Sequence, residues 1–116
     1  MPEKTMNNLE EKREFERFLI GLSVHLSTVD GDGNTYIEKT RLKEVSGGGA
    51  RFTTRQAGRY FPGQVMQITI DLPGIEDVKA HMMGKATVVR VVKDNKDTQE
   101  TDIAVSFSHR LAFFRD

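Results

Sequence analysis

The chain contains no cysteine, no excess of either charge and no long apolar run. The absence of cysteine excludes disulfides, zinc–thiolate sites and thiol catalysis. The 17 basic residues balance the 17 acidic ones, whereas domains that bind duplex nucleic acid usually carry a basic excess, because phosphate neutralisation dominates their affinity. These absences argue against DNA or RNA as a partner, but they leave open a small anion held by a few arginines.

Segments that would direct the chain into or across a membrane are also missing from the sequence. No apolar stretch approaches the roughly 20 residues that a transmembrane helix needs. The N-terminal stretch MPEKTMNNLEEKREFE is charged, whereas a signal peptide would carry an apolar region there. We therefore expect a cytoplasmic protein that does not insert into a membrane.

What the sequence does contain is a series of short segments in which apolar and polar residues alternate. With 116 residues the chain has the size of one compact domain, and a period of two is typical of half-buried β-strands. The predicted strands cover residues 20–27, 35–45, 50–53, 66–72, 78–92 and 103–107. We expect Pro73-Gly74 to stop the fourth strand, Gly84 to mark a bulge or bend in the fifth, and the apolar tail Leu111–Phe114 to form a short helical turn. The pattern predicts an all-β barrel or sandwich.

Residues with catalytic or metal-binding chemistry are scattered rather than grouped. Asp30, Asp32 and Asn34 begin like a calcium-binding EF-hand loop, but Thr35 occupies the required glycine position and Arg41 the closing glutamate position. The three histidines are isolated, and no Ser-His-Asp order or phosphate-binding glycine loop is present. We therefore expect no enzyme activity, no metal and no cofactor.

Two motifs remain after these exclusions. The first is Arg13-Glu14-Phe15-Glu16-Arg17, in which two arginines lie four residues apart. The same residues also fit an amphipathic helix over residues 9–19, stabilised by pairs such as Arg13 with Glu16. Taken alone, this motif leaves both interpretations open.

The second motif is Glu44-Val45-Ser46-Gly47-Gly48-Gly49, at the end of the second predicted strand. Glycine permits tight turns, so the segment fits a strand that ends in a flexible turn. Three successive glycines also create a surface where a ligand can approach bare backbone, with a serine and a carboxylate beside it. Both interpretations remain open for this motif as well.

Together the two motifs resemble the paired signature of PilZ domains, which is RxxxR before the first strand and (Asp/Asn)xSxxG at the end of the second. The resemblance continues through four further segments and covers about residues 12–110. These segments are Ala50-Arg51-Phe52, Phe61-Pro62-Gly63-Gln64, and residues 84–91 and 103–107. It implies a flexible tail over residues 1–11 and a PilZ domain over residues 12–116. The implied fold is a six-stranded antiparallel β-barrel whose flexible N-terminal arm folds over a guanine-binding face.

The resemblance also implies a ligand, the second messenger cyclic di-GMP. The implied binding residues are Arg13, Arg17, Glu44, Ser46 and Gly49, with Lys12, Gly48 and Arg90 as additional contacts. Arginine suits this ligand because it can grip guanine O6 and N7, stack on a base or pair with a phosphate. The implied function is a bacterial receptor that switches motility, secretion, polysaccharide or biofilm functions through a protein partner.

One position departs from the family signature, because Glu44 stands where PilZ domains prefer aspartate or asparagine. Glutamate keeps the acceptor oxygens, but it is one methylene longer and has more rotamers. The alternative implied by this change is a degenerate PilZ domain that does not bind the nucleotide and acts as a protein–protein interaction module.

Overall fold

The computed structural model describes residues 20–46, 48–75, 78–93 and 99–115. The predictions for the tail over residues 1–11, for the alternative helix over residues 9–19, and for Lys12, Arg13 and Arg17 all lie outside the described residues. The described part is almost entirely β-structure, with a single 3-10 turn at Ala57–Arg59. The strands are β1 (Ser23–Val29), β2 (Thr35–Ser46), β3 (Gly49–Thr54), β4 (Val65–Ile75), β5 (Val78–Lys93), β6 (Thr101–Phe107) and β7 (Ala112–Arg115).

Six of these strands form a closed antiparallel barrel. They are hydrogen-bonded in the order β4-β1-β2-β3-β6-β5, and β5 returns to β4 to close the ring. The seventh strand adds to β5 outside this ring. The predicted all-β class and six-stranded barrel are therefore confirmed. No helix in the described ranges has the length and apolar character needed to cross a bilayer.

The core lies inside the barrel and consists of the alternate residues of each strand whose side chains face inward. Strand β1 contributes Val24 and Leu26, which are almost completely buried. They face inward because successive side chains of a strand point to opposite faces of the sheet. Other large apolar side chains that are almost completely buried include Leu42, Phe52, Ile68, Ile70, Val88 and Ile103. Ile20 does not join them, because β1 begins only at Ser23 and leaves Ile20 about half exposed.

The hairpin between β1 and β2 is a tight turn built around Asp30. Its Oδ1 atom accepts hydrogen bonds from the backbone N–H groups of Asp32 and Asn34, each at 3.0 Å. Gly33 has a φ of 87°, in the left-handed region that glycine enters without steric cost. These backbone contacts assign the Asp-x-Asp-x-Asn run to a turn.

The C-terminal tail is a strand, so the predicted helical turn over Leu111–Phe114 is wrong. Ala112 pairs with Met83, and Arg115 pairs with Ala80. This part of β5 lies beyond its pairing with β6, and its backbone polar groups on that side need partners. An extended tail supplies these partners, whereas a helical turn would keep its hydrogen bonds to itself.

The expected end of the fourth strand at Pro73-Gly74 is also wrong, and the bulge expected at Gly84 is not found in the pairing of β5 with β4. Strand β4 continues through Pro73-Gly74 to Ile75, with an irregular register between Leu72 and Ile75, and proline is tolerated at such irregularities. Gly84 pairs regularly with Ile68. A Cβ there would lie 2.5 Å from Cδ2 of Leu111, so a larger residue would require the Leu111 side chain to shift.

Candidate functional site

A β-bulge in β2 places Glu44 on the outer face of the barrel. Leu42 pairs with Phe52 and Glu44 pairs with Arg51, so Lys43 is an extra residue between them. Leu42 is buried in the core, and regular alternation would point the residue two positions later inward as well. The bulge reverses this alternation, and the Glu44 side chain is 62% exposed. Bulges commonly re-aim a side chain in this way.

A second bulge, in β5, does the same for Arg90. Val88 pairs with Val105 and Arg90 pairs with Ala104, which leaves Val89 as the extra residue. Val88 points into the core, so regular alternation would direct Arg90 there too. With the bulge, Arg90 is exposed on the outer face.

The two bulges flank a pair of regular strands, and together the four strands align polar residues in rows. Glu44, Arg51, Ala104 and Arg90 are register neighbours across β2, β3, β6 and β5. Ser46, Gly49, Ser106 and Thr87 form the adjacent row. The small Ala104 between the two arginines leaves a depression of about 210 Å³. Its lining residues are Glu44, Ser46, Gly49, Ala50, Arg51, Arg90, Ala104 and Val105.

This pocket brings together four of the residues that the sequence singled out, namely Glu44, Ser46, Gly49 and Arg90. Gly48 lies in the adjoining turn, where its carbonyl accepts the Phe107 N–H at 2.9 Å. Their contact with a ligand remains a prediction. The pocket contains two arginines and one glutamate, so its lining carries a positive charge that suits an anion.

Gly49 has a role in the fold that the motif alone did not indicate. A Cβ at this position would overlap the carbonyl group of Val105 on the paired strand β6. The backbones of β3 and β6 therefore approach too closely here for any side chain. The interpretation of Gly49 as an opening for the ligand stays a prediction beside this structural requirement.

A network of charges, which the sequence analysis missed, lies next to the pocket. Arg51 Nη2 is 3.1 Å from Glu44 Oε1, and Arg51 Nη1 is 3.7 Å from Asp102 Oδ2. Lys43 Nζ donates to both oxygens of Asp102, at 3.2 and 3.0 Å. Alternation along β6 indicates that Asp102 faces outward, opposite to Ile103. Its burial under two basic side chains from β2 and β3 depends on the strand order and could not be read from the sequence.

A second polar cluster lies at the other end of β3. Glu38 accepts hydrogen bonds from Tyr36, Tyr60 and Thr54, at 2.7 to 2.9 Å. Burial, followed by the hydrogen bond to Glu38, raises the pKa of Tyr36 to about 12 and raises the pKa of Tyr60 further. The cluster is internally satisfied, and we assign it a structural role.

Metal ligands do not gather anywhere in the ranges that the structure covers. Within those ranges, no group of three or more histidine, aspartate or glutamate side chains could hold a metal ion. His25 instead contacts Asp71, with its Nε2 atom 2.7 Å from Oδ2.

Comparison with known proteins identifies one family, and solved structures of similar fold include the following two. The chain matches the sequence model of the PilZ domain family over residues 11–112. An F420 reductase structure superposes with a TM-score of 0.55 and 18% identity, covering 98% of both chains. HutZ, the heme storage protein from Vibrio cholerae, gives a TM-score of 0.57 and 12% identity, covering 91% of this chain and 90% of its own. At these identities the two structures show a shared fold alone. No curated protein matches the chain.

Proposed function

The chain belongs to the PilZ domain family, and on this premise we propose that it is a receptor for cyclic di-GMP. It acts in the bacterial cytoplasm as a switch rather than as an enzyme. The observation that carries this proposal is the outer-face pocket, in which Glu44, Ser46 and Gly49 of the second motif adjoin Arg51 and Arg90. The positive lining matches the two phosphates of the ligand.

The path of the chain supports a contribution from the RxxxR motif. Gly21 donates its backbone N–H to the carbonyl of Leu42 at 2.8 Å, so the start of the described chain lies beside the bulge that presents Glu44. Arg17 precedes Gly21 by four residues and Arg13 by eight. An extended chain of these lengths spans about 14 and about 28 Å, so both arginines are within reach of the pocket.

The roles of the side chains follow from their chemistry. Arg13 and Arg17 grip the guanine edges or stack on the bases, as arginine does when it reads guanine. Arg90 attracts the phosphates. The Glu44 carboxylate accepts hydrogen bonds from the N1 and N2 groups of a guanine, and Ser46 adds a hydroxyl contact. Ligand binding through the N-terminal arm changes the surface that the domain offers to a protein partner. The partner in turn regulates motility, secretion, polysaccharide or biofilm functions.

One observation favours the second candidate function, a degenerate PilZ domain that acts only through protein contacts. Glu44 is already neutralised by Arg51 at 3.1 Å, so part of its acceptor capacity is occupied. A carboxylate has about four lone-pair sites on its two oxygens. One arginine contact therefore leaves acceptors for a guanine, and receptor function remains the proposal that we favour.

Calorimetric titration with cyclic di-GMP tests this proposal. We expect the parent protein to release heat. Arg13→Ala and Arg17→Ala should each weaken binding by about 1.5 kcal/mol, roughly tenfold, which is typical of a charge-assisted hydrogen bond. Arg55→Ala is the matched control, because Arg55 is a highly exposed arginine beyond the far end of β3. No heat from the parent would reject the receptor and favour the degenerate domain.

A further inference from the structure

Asp102 is a buried carboxylate on the outer face of the barrel, where a carboxylate would ordinarily be solvated. Its side chain is only 3% exposed. Burial of a charge is costly unless the charge is paired, and here Lys43 and Arg51 are the partners. Asp102 therefore fixes two basic side chains from neighbouring strands at the edge of the pocket.

Arg51 connects this buried anchor to the exposed part of the site. One terminal nitrogen of its guanidinium faces Asp102 and the other faces Glu44. The third nitrogen, Nε, is buried and has no hydrogen-bond partner in the described part of the chain. The orientation of the planar guanidinium thus depends on its two carboxylate neighbours.

We propose that Asp102 is a positioning residue of the ligand site, which acts through Arg51 to fix the Glu44 carboxylate and thereby sets the preference for guanine. This inference rests on the proposed function. It accounts for the glutamate that replaces the usual aspartate or asparagine. The longer side chain has additional rotamers whose loss would oppose binding, and the Asp102–Arg51 pair restricts them before the ligand arrives.

The guanine preference follows from what the fixed carboxylate can accept. Guanine presents N1–H and N2–H donors on one edge, whereas adenine lacks the N1–H donor. A carboxylate held in place discriminates strongly between these bases, because the mismatched base leaves polar groups unpaired. A carboxylate that samples several rotamers discriminates less, since it can move away from the wrong base.

The test compares cyclic di-GMP with cyclic di-AMP by calorimetry, on the full chain. Asp102→Asn keeps the shape of the side chain and removes its charge. We expect it to reduce the ratio of the two affinities by about tenfold, with most of the loss on the guanine ligand. In a Glu44→Ala background, the same substitution should change the ratio no further. Asp71→Asn is the matched control, because Asp71 is a half-exposed outer-face aspartate on another strand, paired with His25.

A second variant guards against a folding defect in Asp102→Asn. Arg51→Met keeps an unbranched stem of similar length and leaves Asp102 paired with Lys43, and it should give the same loss of selectivity. If the parent binds cyclic di-GMP while both variants keep its selectivity, the positioning role is overturned and the receptor function stands. Equal weakening for both nucleotides would assign Asp102 a structural role only, which also overturns the inference. No binding by the parent overturns the receptor function and the positioning role together.

Discussion

At the scale of single residues, Gly49 is required by the fold itself, whether or not it also contacts a ligand. A methyl group at this position would overlap the carbonyl of Val105, and backbone atoms cannot rotate away as a side chain can. Gly49→Ala should therefore lower the free energy of unfolding by at least about 2 kcal/mol, as overpacking does in well-packed interiors. Urea denaturation measures this loss.

Gly48 provides the control for this prediction, because it is the adjacent glycine and a Cβ there would meet nothing within 4 Å. Gly48→Ala should change the free energy of unfolding by less than about 0.5 kcal/mol, as substitutions at open surface positions do. Equal effects from the two variants would contradict the proposed close approach of β3 and β6.

A second single-residue prediction concerns Asp30, whose contribution to the stability of the fold should depend on pH. The backbone N–H of Asn34, followed by the Arg59 side chain at 2.7 Å, lowers the pKa of Asp30 below its ordinary value of 3.8. A carboxyl with a lowered folded-state pKa stabilises the fold above its unfolded pKa. That stabilisation is lost as the pH falls from 3.8 towards the folded value.

We therefore expect Asp30→Asn to be less stable than the parent at neutral pH. The difference in free energy of unfolding should narrow when the pH falls below about 4. Denaturation curves of both proteins at several pH values measure this difference. Asp32→Asn serves as the control, since the Asp32 carboxylate lies on the exposed tip of the same turn. If the difference in free energy of unfolding between the parent and Asp30→Asn stays constant as the pH falls below about 4, the stabilising role of the Asp30 carboxylate is contradicted.

At the scale of elements, the two bulges determine which charges reach the pocket. Removing Val89 restores ordinary alternation, with Val88 inside, Arg90 outside and Val91 inside, and it leaves the pairing with β6 in register. Deletion of Val89 should therefore be tolerated, with a loss of about 1–2 kcal/mol in the free energy of unfolding. Circular dichroism and urea denaturation of the deletion variant test this expectation.

Thr87 is the matched control for this deletion, because it pairs with Val65 on one side and Ser106 on the other. Deleting Thr87 shifts one part of β5 by a residue, which moves its apolar side chains to the wrong face. We expect this variant to lose cooperative unfolding. The assignment of Val89 as the extra residue would be contradicted if only the Thr87 deletion unfolded cooperatively. It would also be contradicted if neither deletion variant did so.

At the scale of the whole molecule, the ionisation of the tyrosines reports on whether the barrel is folded. The chain contains two tyrosines, Tyr36 and Tyr60, and both hydroxyls donate to Glu38. A phenol with a raised folded-state pKa stabilises the fold below its unfolded pKa, near 10. This stabilisation is lost as the pH rises through the folded value, which is about 12 for Tyr36.

Phenolate absorbance of the native protein should therefore stay low at pH 10 and rise only towards pH 12, together with unfolding. In urea, both tyrosines should titrate near 10. Glu38→Gln removes the neighbouring charge, so phenolate should form at lower pH in this variant. Glu44→Gln is the control, because Glu44 contacts neither tyrosine. If the tyrosines of the native protein titrated near pH 10, the Tyr36–Glu38–Tyr60 cluster would have to be open to solvent.

The barrel as a whole does not specify a ligand. The same fold occurs in an F420 reductase and in a heme storage protein, at 18% and 12% identity. Function resides in sites built on folds rather than in folds themselves. The proposal made for this chain accordingly rests on the outer-face pocket and on the family match rather than on the barrel shape.

The sequence by itself determined the all-β class, the family and the approximate position of most strands. Alternation is a local property, so the strands that contain Leu26 and Ile68 could be predicted without knowledge of the strands beside them. The turn at the glycine-rich motif could also be predicted from the sequence, because the residue types that form a turn are adjacent in the chain.

The tertiary structure alone decided the strand made by the tail, the continuation of β4 past Pro73 and the two bulges. Each depends on which strand lies alongside, since an unpaired edge on β5 recruits the tail and a neighbour's register defines a bulge. The network of Asp102, Arg51 and Glu44 has the same origin. Glu44 and Arg51 meet across the β2–β3 hairpin. Asp102 lies far from both in the sequence and becomes their neighbour only because β6 pairs with β3 in the barrel.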